Sequence, residues 1–239
     1  MIRMVRLIVW GHFLQPAWWM LGESWRLARR HWRACCVHVA ITVVACLIAL
    51  PFDAMLVEML GSKHPQAPLT EAAKEISHYG KFEVGTLALF AVVMLAGIIR
   101  RRRAWRHAAI AILLAATLAG LTANVFRPTI GRSRPSTTGP QGIYGPSMST
   151  KYQSFPSAHA ATAGATGVAA VAALGPVAIP VLAVALVVAW SRLHLRRHHL
   201  SDVLAGLAIG GLFGVLVGRS SRLTAARGDA EPPDDSTSP

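Results

Sequence analysis

Cysteine and acidic residues are scarce in this chain, and both scarcities narrow what it can be. The 239 residues include 11 Asp and Glu against 24 Lys and Arg, giving a formal net charge of +13. Cys35, Cys36 and Cys46 form no CxxC pair or paired framework, so neither a disulfide scaffold nor a zinc site is predicted. No RNP, zinc-finger or basic-helix signature accompanies the positive charge, so nucleic acid is not an expected partner.

Long hydrophobic runs dominate the sequence instead. Hydrophobic residues make up 53% of the chain and charged residues 15%. A membrane-spanning helix needs about 20 apolar residues. The candidate blocks are Cys35–Phe52, Val84–Ile99, Ala108–Phe126, Ala158–Trp190 and Val203–Gly218. The fourth is long enough for two helices, which Gly175-Pro176 and Pro180 would separate. The sequence therefore predicts an all-α polytopic membrane protein with six transmembrane helices.

Basic residues predict the orientation of these spans. In a six-span arrangement, 14 Lys and Arg lie on the side of the two termini and 10 on the opposite side. Since positive residues favour the cytoplasm, we expect both termini there, in a protein of the cytoplasmic (inner) membrane.

The two ends of the chain differ from the six-helix region, residues 35–218. Residues 1–34 hold five of the seven tryptophans, interleaved with arginines, which is typical of an amphipathic helix in the headgroup region. A cytoplasmic extension of the first span is the alternative. Residues 219–239 end in an acidic stretch rich in proline and serine, and we expect a disordered cytoplasmic tail.

Four glycines in the last block are spaced four residues apart. Gly206, Gly210, Gly214 and Gly218 would share one helix face, where small residues allow a neighbouring helix to approach closely. This pattern predicts packing and implies no chemistry.

Polar residues between the apolar blocks suggest a catalytic site. His198 and Asp202 are four apart and would face the same way on a helix. A carboxylate can hold one imidazole nitrogen as N–H and leave the other free as a nucleophile, although a salt-bridged histidine at a helix start has the same pattern. His194 and His198 also have metal-ligand spacing, but no acidic third ligand accompanies them. His199 lies beside His198 as a competitor for its role.

Two further motifs favour binding of a phosphate group. Ser157 is a predicted N-cap, and the free N–H groups of such a helix end attract anions, so that His159 could act there as a general acid. An ordinary capped helix with an interfacial histidine is the alternative. Guanidinium groups donate paired hydrogen bonds to phosphate oxygens. The candidate arginines are Arg127, Arg134 and Arg192, with Arg132, Arg196 and Arg197 as competitors.

In combination, the motifs resemble those of the type 2 phosphatidic acid phosphatase (PAP2) superfamily, membrane lipid phosphate phosphatases related to vanadium haloperoxidases. That family carries Lys-x6-Arg-Pro, Pro-Ser-Gly-His and Ser-Arg-x5-His-x3-Asp. This chain carries Arg127-x6-Arg134-Pro135, Pro156-Ser157-Ala158-His159 and Ser191-Arg192-x5-His198-x3-Asp202. The order and internal spacing match throughout, while Arg127 replaces lysine and Ala158 replaces glycine. The resemblance covers roughly residues 80–218.

The resemblance implies a mechanism without a metal or another cofactor. His198 would attack phosphorus to form a phosphohistidine, Asp202 would orient it, and His159 would protonate the leaving group and then activate water. The phosphate oxygens would be held by Arg127, Arg134, Ser157, the N–H of Ala158, and Arg192.

The leading hypothesis is an integral membrane phosphatase that hydrolyses a lipid phosphate or diphosphate at the outer (periplasmic) face. Candidate substrates are phosphatidic acid, phosphatidylglycerophosphate, undecaprenyl diphosphate and lipid A. One alternative is a phosphotransferase that passes the phosphate to another acceptor. A second is a non-catalytic lipid-binding or transport protein on the same scaffold. The apolar spans exclude a soluble haloperoxidase.

Overall fold

Helices account for nearly all of the regular structure in the computed structural model, which describes residues 10–230. The α-helices in this part are α1 (Gln15–Arg30), α2 (Trp32–Ala49), α3 (Asp53–Leu60), α4 (Pro68–Tyr79), α5 (Leu87–Ile99), α6 (Arg103–Ile130), α7 (Ala158–Leu174), α8 (Ile179–His194) and α9 (Leu200–Ala230). Single π-helical turns precede α1 (Trp10–Leu14) and α5 (Phe82–Thr86), and 3₁₀ turns cover Leu50–Phe52, Thr150–Tyr152 and Pro176–Ala178. No β-strand forms between residues 10 and 230. The all-α prediction is therefore confirmed.

Five helical segments are long and apolar enough to cross a membrane. They are Trp32–Leu60, Phe82–Ile99, Arg103–Ile130, Pro176–His194 and Leu200–Arg227. The sixth predicted span corresponds to α7, which is apolar but has 17 residues. The predicted break after α7 is present, because α7 ends at Leu174 and Pro180 lies in the first turn of α8. The number of membrane crossings stays a prediction.

The short helix α7 lies at the centre of the fold. It packs against α6, α8 and α9, and most of its residues are buried. Alanines fill the contacts on both sides, including Ala115 and Ala119 of α6 and Ala161 and Ala165 of α7, all of which are fully buried. Small side chains let helix backbones approach each other, which is how helices associate where no water is present to drive them together.

The predicted glycine face of α9 forms the closest of these contacts. A Cβ atom built on Gly206, Gly210, Gly214 or Gly218 would lie less than 3.0 Å from an atom of Ser157 or α7. At Gly210 the obstructing atoms belong to the backbone of Ala161 and Ala165, which cannot rotate away. The packing role predicted for these glycines is therefore confirmed.

Large apolar side chains cover the outside of the helix bundle. On α2 the exposed ones are Val37, Val39, Ile41, Val43, Val44, Leu47 and Ile48. On α5 they are Leu87, Val92, Leu95, Ile98 and Ile99. Apolar surface on this scale is foreign to a monomer in water and is typical of helices in contact with lipid.

The N-terminal segment forms a helix that packs against the end of α9. Met20 of α1 is fully buried, and Ser24 donates a hydrogen bond of 3.1 Å to the Ser220 hydroxyl. The buried Glu23 forms ion pairs with Arg26 and with Arg227. Beside these contacts α9 continues as a helix as far as Ala230, so the expectation of a disordered tail from residue 219 is wrong for residues 219–230. The remaining parts of both predicted end segments, 1–9 and 231–239, lie outside the described residues.

The glycine face generates a stability prediction with an internal control. We expect Gly210→Ala to lower the unfolding temperature in detergent, because overpacking of a close contact costs about 1–3 kcal/mol. Gly211→Ala is the control, since a Cβ at Gly211 meets no atom within 4 Å. Alanine there gains helix propensity of about 1 kcal/mol over glycine. Equal unfolding temperatures for the two variants would contradict the role of this face.

Candidate active site

The three motifs meet where the N-termini of α7 and α9 lie side by side. The backbone N–H of Ser157 donates to the carbonyl of Asp202 at 2.9 Å, which joins the two helix starts directly. The loop after α6 folds back toward them, because the N–H of Ser154 donates to the carbonyl of Arg132 at 3.0 Å. The end of α8 supplies Arg192 and leads into the loop that carries His198.

His198 is held by a backbone carbonyl. Its ring is 2% exposed, and its Nδ1 lies 2.8 Å from the carbonyl oxygen of Ser154 but 3.7 Å from Oδ2 of Asp202. A carbonyl can only accept a hydrogen bond, so Nδ1 carries the proton and Nε2 keeps its lone pair. The arrangement provides the free nitrogen that a nucleophile needs. The nearest acceptor of the Nδ1 hydrogen is therefore the Ser154 carbonyl. The spacing of His198 and Asp202 predicted the Asp202 carboxylate in that position.

Asp202 is the fully buried centre of a polar network. Its carboxylate accepts hydrogen bonds from the Ser154 hydroxyl at 2.6 Å and from the backbone N–H of His199 at 2.8 Å. The His199 ring lies 3.2 Å from the same carboxylate. Arg132 forms an ion pair with Asp202 at 2.5 Å. His199 and Arg132, the competing candidates for the site, are therefore both bound to this one carboxylate.

The network contains residues that the sequence analysis did not assign to the site. Asp53 forms an ion pair with Arg132 at 2.7 Å and also contacts Ser201, and all three side chains are buried. Asp53 directly follows the first apolar block, and an ionisable residue at such a position is a recognisable signal of function. Ser154 and Ser201 carry no comparable signal in the sequence.

Three arginines form a cluster close enough to interact electrostatically, and two of them, Arg134 and Arg192, also interact with His198. Arg127 donates to the carbonyl of Gln153 at 3.0 Å and to the Asn124 side chain at 3.1 Å. Arg192 is 8% exposed and donates to the Ser77 hydroxyl. In the part of the chain that the structure describes, Nε of Arg134 and Nε of Arg192 are buried without a hydrogen-bond partner. Buried donors of this kind are costly unless a ligand accepts from them.

Burial and nearby positive charges lower the pKa values of two site residues outside the helices, Arg134 and His198. Burial lowers the pKa of Arg134 to about 10, and the charges of Arg127 and Arg197 act in the same direction. Burial also lowers the pKa of His198 to about 4, opposed by Asp202 and reinforced by Arg192 and Arg134. At neutral pH the site therefore combines a neutral His198 with a cluster of positive arginines, which suits a nucleophile that attacks an anion.

The helix start at Ser157 tolerates the exchange of glycine for alanine. The Ser157 hydroxyl accepts a hydrogen bond from the N–H of Ala160 at 3.4 Å, as predicted for an N-cap. Among the described non-glycine residues, positive φ angles occur at Arg101 and Arg196, and Ala158 does not share them. Its side chain therefore imposes no backbone strain, and its N–H lies in the first turn, where helices lack internal acceptors.

His159 faces an open polar cavity of about 580 Å³. The cavity is lined among others by His78, Lys81, Asn124, Arg127, His159 and Thr162. His159 is close enough to interact electrostatically with His198, Arg192 and Arg127. The cavity thus gives access to the side of the arginine cluster on which His159 lies.

An apolar groove of about 310 Å³ follows directly along α7. Ala163 and Thr166 line it one turn beyond the cavity residues His159 and Thr162. Its far wall is formed by α8, through Val181, Val184 and Val188. A polar chamber and an apolar groove are therefore adjacent on one helix.

His194 makes different contacts from His198 and does not join it at the site. Its Nδ1 lies 2.9 Å from the carbonyl of Leu60, and its ring stacks on Trp190 with centroids 5.1 Å apart. Within residues 10–230, no group of three His, Cys, Asp or Glu side chains is arranged to hold a metal ion.

Comparisons with known proteins point to one family. Residues 108–223 match the PAP2 superfamily. A lipid A 1-phosphatase of Rhizobium johnstonii is 29% identical over 85% of this chain and 88% of its own. Another of Rhizobium etli is 40% identical, but the alignment covers 41% of this chain and 43% of that protein. A decaprenylphosphoryl-5-phosphoribose phosphatase of Mycobacterium tuberculosis is 34% identical over 61% of this chain and 76% of its own.

A solved structure shares the fold. The crystal structure of a transmembrane PAP2 type phosphatidylglycerolphosphate phosphatase from Bacillus subtilis aligns with a TM-score of 0.57 at 19% identity. The alignment covers 83% of this chain and 97% of that one.

The burial of His198 predicts how stability depends on pH. Its folded pKa of about 4 lies below the ordinary value of 6.5. Below pH 6.5 the unfolded chain therefore binds a proton that the folded state refuses, and stability falls as the pH is lowered. Between pH 7 and pH 5 the expected loss is about 2 kcal/mol.

The test compares unfolding temperatures in detergent at pH 7 and pH 5. We expect His198→Asn to lose less on acidification than the wild type, because asparagine does not titrate. His64→Asn changes an exposed histidine and serves as the control. An equal loss in the wild type and His198→Asn would contradict the assignment.

Proposed function

Because the chain belongs to the PAP2 superfamily of membrane lipid phosphatases, we propose that it hydrolyses the phosphate or diphosphate of a membrane lipid at the outer membrane face. The relatives named above act on lipid A and on decaprenylphosphoryl-5-phosphoribose. Candidate substrates are accordingly lipid A, phosphatidylglycerophosphate, phosphatidic acid and undecaprenyl diphosphate.

A free imidazole nitrogen beside buried, unpartnered guanidinium donors is the observation that carries this proposal. In the first step, Nε2 of His198 attacks phosphorus in line and the bond from phosphorus to the leaving oxygen breaks. His159 gives its proton to that oxygen. In the second step, His159 removes a proton from water, whose oxygen attacks phosphorus. The P–N bond breaks, and inorganic phosphate is released.

The arginine cluster would bind the phosphate oxygens through both steps. Nε of Arg134 and Nε of Arg192 are donors that await an acceptor, and Arg127 adds charge from the cavity side. The hydroxyl of Ser157 and the N–H of Ala158 complete the set at the start of α7. Because these groups counter the charge that develops on the transferred phosphoryl group, the reaction needs no metal ion.

We assign α7 as the sixth span, with both termini in the cytoplasm. The excess of basic residues on the side of the termini supports this orientation. Trp18 and Trp25 are exposed and lie seven residues apart on α1, and the exposed Trp32 begins α2. Side chains of this kind favour the headgroup region, so the segment would lie at the inner membrane surface.

The apolar groove beside α7 is suited to a hydrocarbon chain. Its lining between α5 and α8 is almost entirely apolar, and it begins one turn from His159. A lipid could therefore place its phosphate among the arginines and a chain in the groove.

The first test is phosphate release by the purified protein from the four candidate lipids. We expect hydrolysis of at least one of them, and loss of it in His198→Ala by about 10³-fold or more, because the nucleophile is removed. Orthovanadate, which resembles five-coordinate phosphorus, should inhibit the same activity. Undiminished release by His198→Ala would refute the mechanism. Consumption of lipid phosphate without release of inorganic phosphate would indicate transfer to another acceptor.

A second test addresses the groove. Val184→Trp fills it, so we expect slower hydrolysis of the lipid substrate and unchanged hydrolysis of water-soluble p-nitrophenyl phosphate. The matched control is Leu186→Trp, a change at an exposed position of α8 that does not line the groove. The groove would lose its assigned role if the two variants hydrolysed the lipid equally well.

A further inference from the structure

Asp53 and Arg132 form a buried ion pair that contacts Asp202 directly. The mechanism above gives neither residue a role. We propose that Asp53 is a positioning residue for hydrolysis, acting through Arg132 and Asp202 on Ser154, and through Ser154 on His198. This inference rests on the proposed function. It adds to the site a residue from α3, which precedes residues 108–223 that match the family.

Asp53 is a built part of the site and has little contact with solvent. Its side chain is 5% exposed at the first turn of α3. One oxygen accepts from Arg132 at 2.7 Å, and the other accepts from the backbone N–H of Ser201 at 3.0 Å. The Ser201 hydroxyl donates to Asp53 as well. Asp53 therefore connects the end of the first span to the residue immediately before Asp202.

Arg132 carries the connection onward. One of its terminal nitrogens contacts Asp53, and the other donates to Asp202 at 2.5 Å and to the Ser201 hydroxyl at 2.6 Å. A planar guanidinium held on both sides has a fixed orientation. The backbone carbonyl of Arg132 accepts a hydrogen bond from the N–H of Ser154. Arg132 thus constrains both the Asp202 side chain and the main chain of Ser154.

Ser154 is the last step before His198. Arg132 holds its N–H, Asp202 holds its hydroxyl at 2.6 Å, and its carbonyl accepts from Nδ1 of His198 at 2.8 Å. The direction of Nε2 is therefore set by a residue that is itself held at two other points. A small displacement of a nucleophile reduces the rate far more than it reduces binding.

Charge gives Asp53 a second effect. Two carboxylates share one guanidinium, so Asp53, Arg132 and Asp202 together bear one negative charge. When Nε2 bonds to phosphorus the imidazole becomes positive, and the negative charge behind it stabilises that state. Without the Asp53 carboxylate, Arg132 would neutralise Asp202 by itself. The imidazolium would then lose this stabilisation.

The decisive variant is Asp53→Asn, which keeps the size of the side chain and removes its charge. With the lipid hydrolysed fastest in the panel above, we expect kcat per folded enzyme to fall about 10- to 100-fold. KM should change little, because Asp53 does not touch the substrate. Asp53→Glu restores the carboxylate and should recover part of the lost kcat.

Glu58→Gln is the matched control. Glu58 also lies on α3 and pairs with an arginine of the His198 loop, Arg196, but its side chain is 57% exposed. We expect wild-type kcat and KM from this variant. A wild-type kcat in Asp53→Asn, whatever its unfolding temperature, would overturn the inference, because it would show that Asp53 serves only the fold.

Ser154→Ala tests the last step independently and covers the case in which Asp53→Asn does not fold. It removes the hydroxyl that Asp202 holds and keeps the carbonyl that holds His198, so kcat should fall while KM stays constant. Where both variants fold, the double variant should lose less kcat than the product of the two single losses. Both changes would act on the same chain of hydrogen bonds, which leads from Asp53 through Ser154 to His198. A wild-type kcat in Ser154→Ala would contradict this chain of hydrogen bonds. So would a double variant whose loss of kcat equals the product of the two single losses.

The two proposals fail in different ways. If the wild type and Glu58→Gln release no phosphate from any lipid in the panel, the proposed function is wrong. If both are active and Asp53→Asn equals them, the proposed function stands and the role of Asp53 is wrong.

Discussion

A carboxylate with no access to water must be surrounded by donors, and in this protein that requirement organises the site around Asp202. Its side chain is fully buried at the start of α9. It accepts hydrogen bonds from the Ser154 hydroxyl, the His199 backbone N–H and the Arg132 guanidinium, which belong to three different segments of the chain. Because an unpaired buried charge is so costly, the three segments are held together wherever the chain is folded. His198 then takes its orientation from the assembled cluster.

Close packing of α7 and α9 makes this cluster possible. The glycine face brings the two helix starts near enough for the backbone of Ser157 to bond that of Asp202. The start of α7 and the main chain beside His198 are consequently joined through one backbone hydrogen bond. Apolar packing along the helices and polar chemistry at their ends depend on the same interhelical distance.

Motif spacing predicted which side chains lie together more completely than it predicted the groups that hold them. The five apolar blocks, the break at Gly175-Pro176 and the glycine face follow from local patterns, and the structure shows helices in the regions that these patterns predict. Ser154 could not be found in the same way, because its decisive group is a main-chain carbonyl, which every residue has. Asp53 was only partly predictable: its place after the first apolar block marks it, but it is more than 70 residues from the nearest motif and its partner is chosen only by the fold. The helical part of the tail, residues 219–230, contacts α1, so it is part of an interaction between regions far apart in the sequence.

Helix α9 has one further consequence through its length. Asp202 lies in its first turn and Arg227 near its last, about 37 Å apart along the axis at 1.5 Å per residue. Asp202 belongs to the polar network beside His198, and Arg227 is paired with Glu23 of α1 at the far end. One unbroken helix therefore acts as a rod between the two faces of the protein. The polar network at one end of α9 and the ion pair with α1 at the other are therefore joined by a single helix.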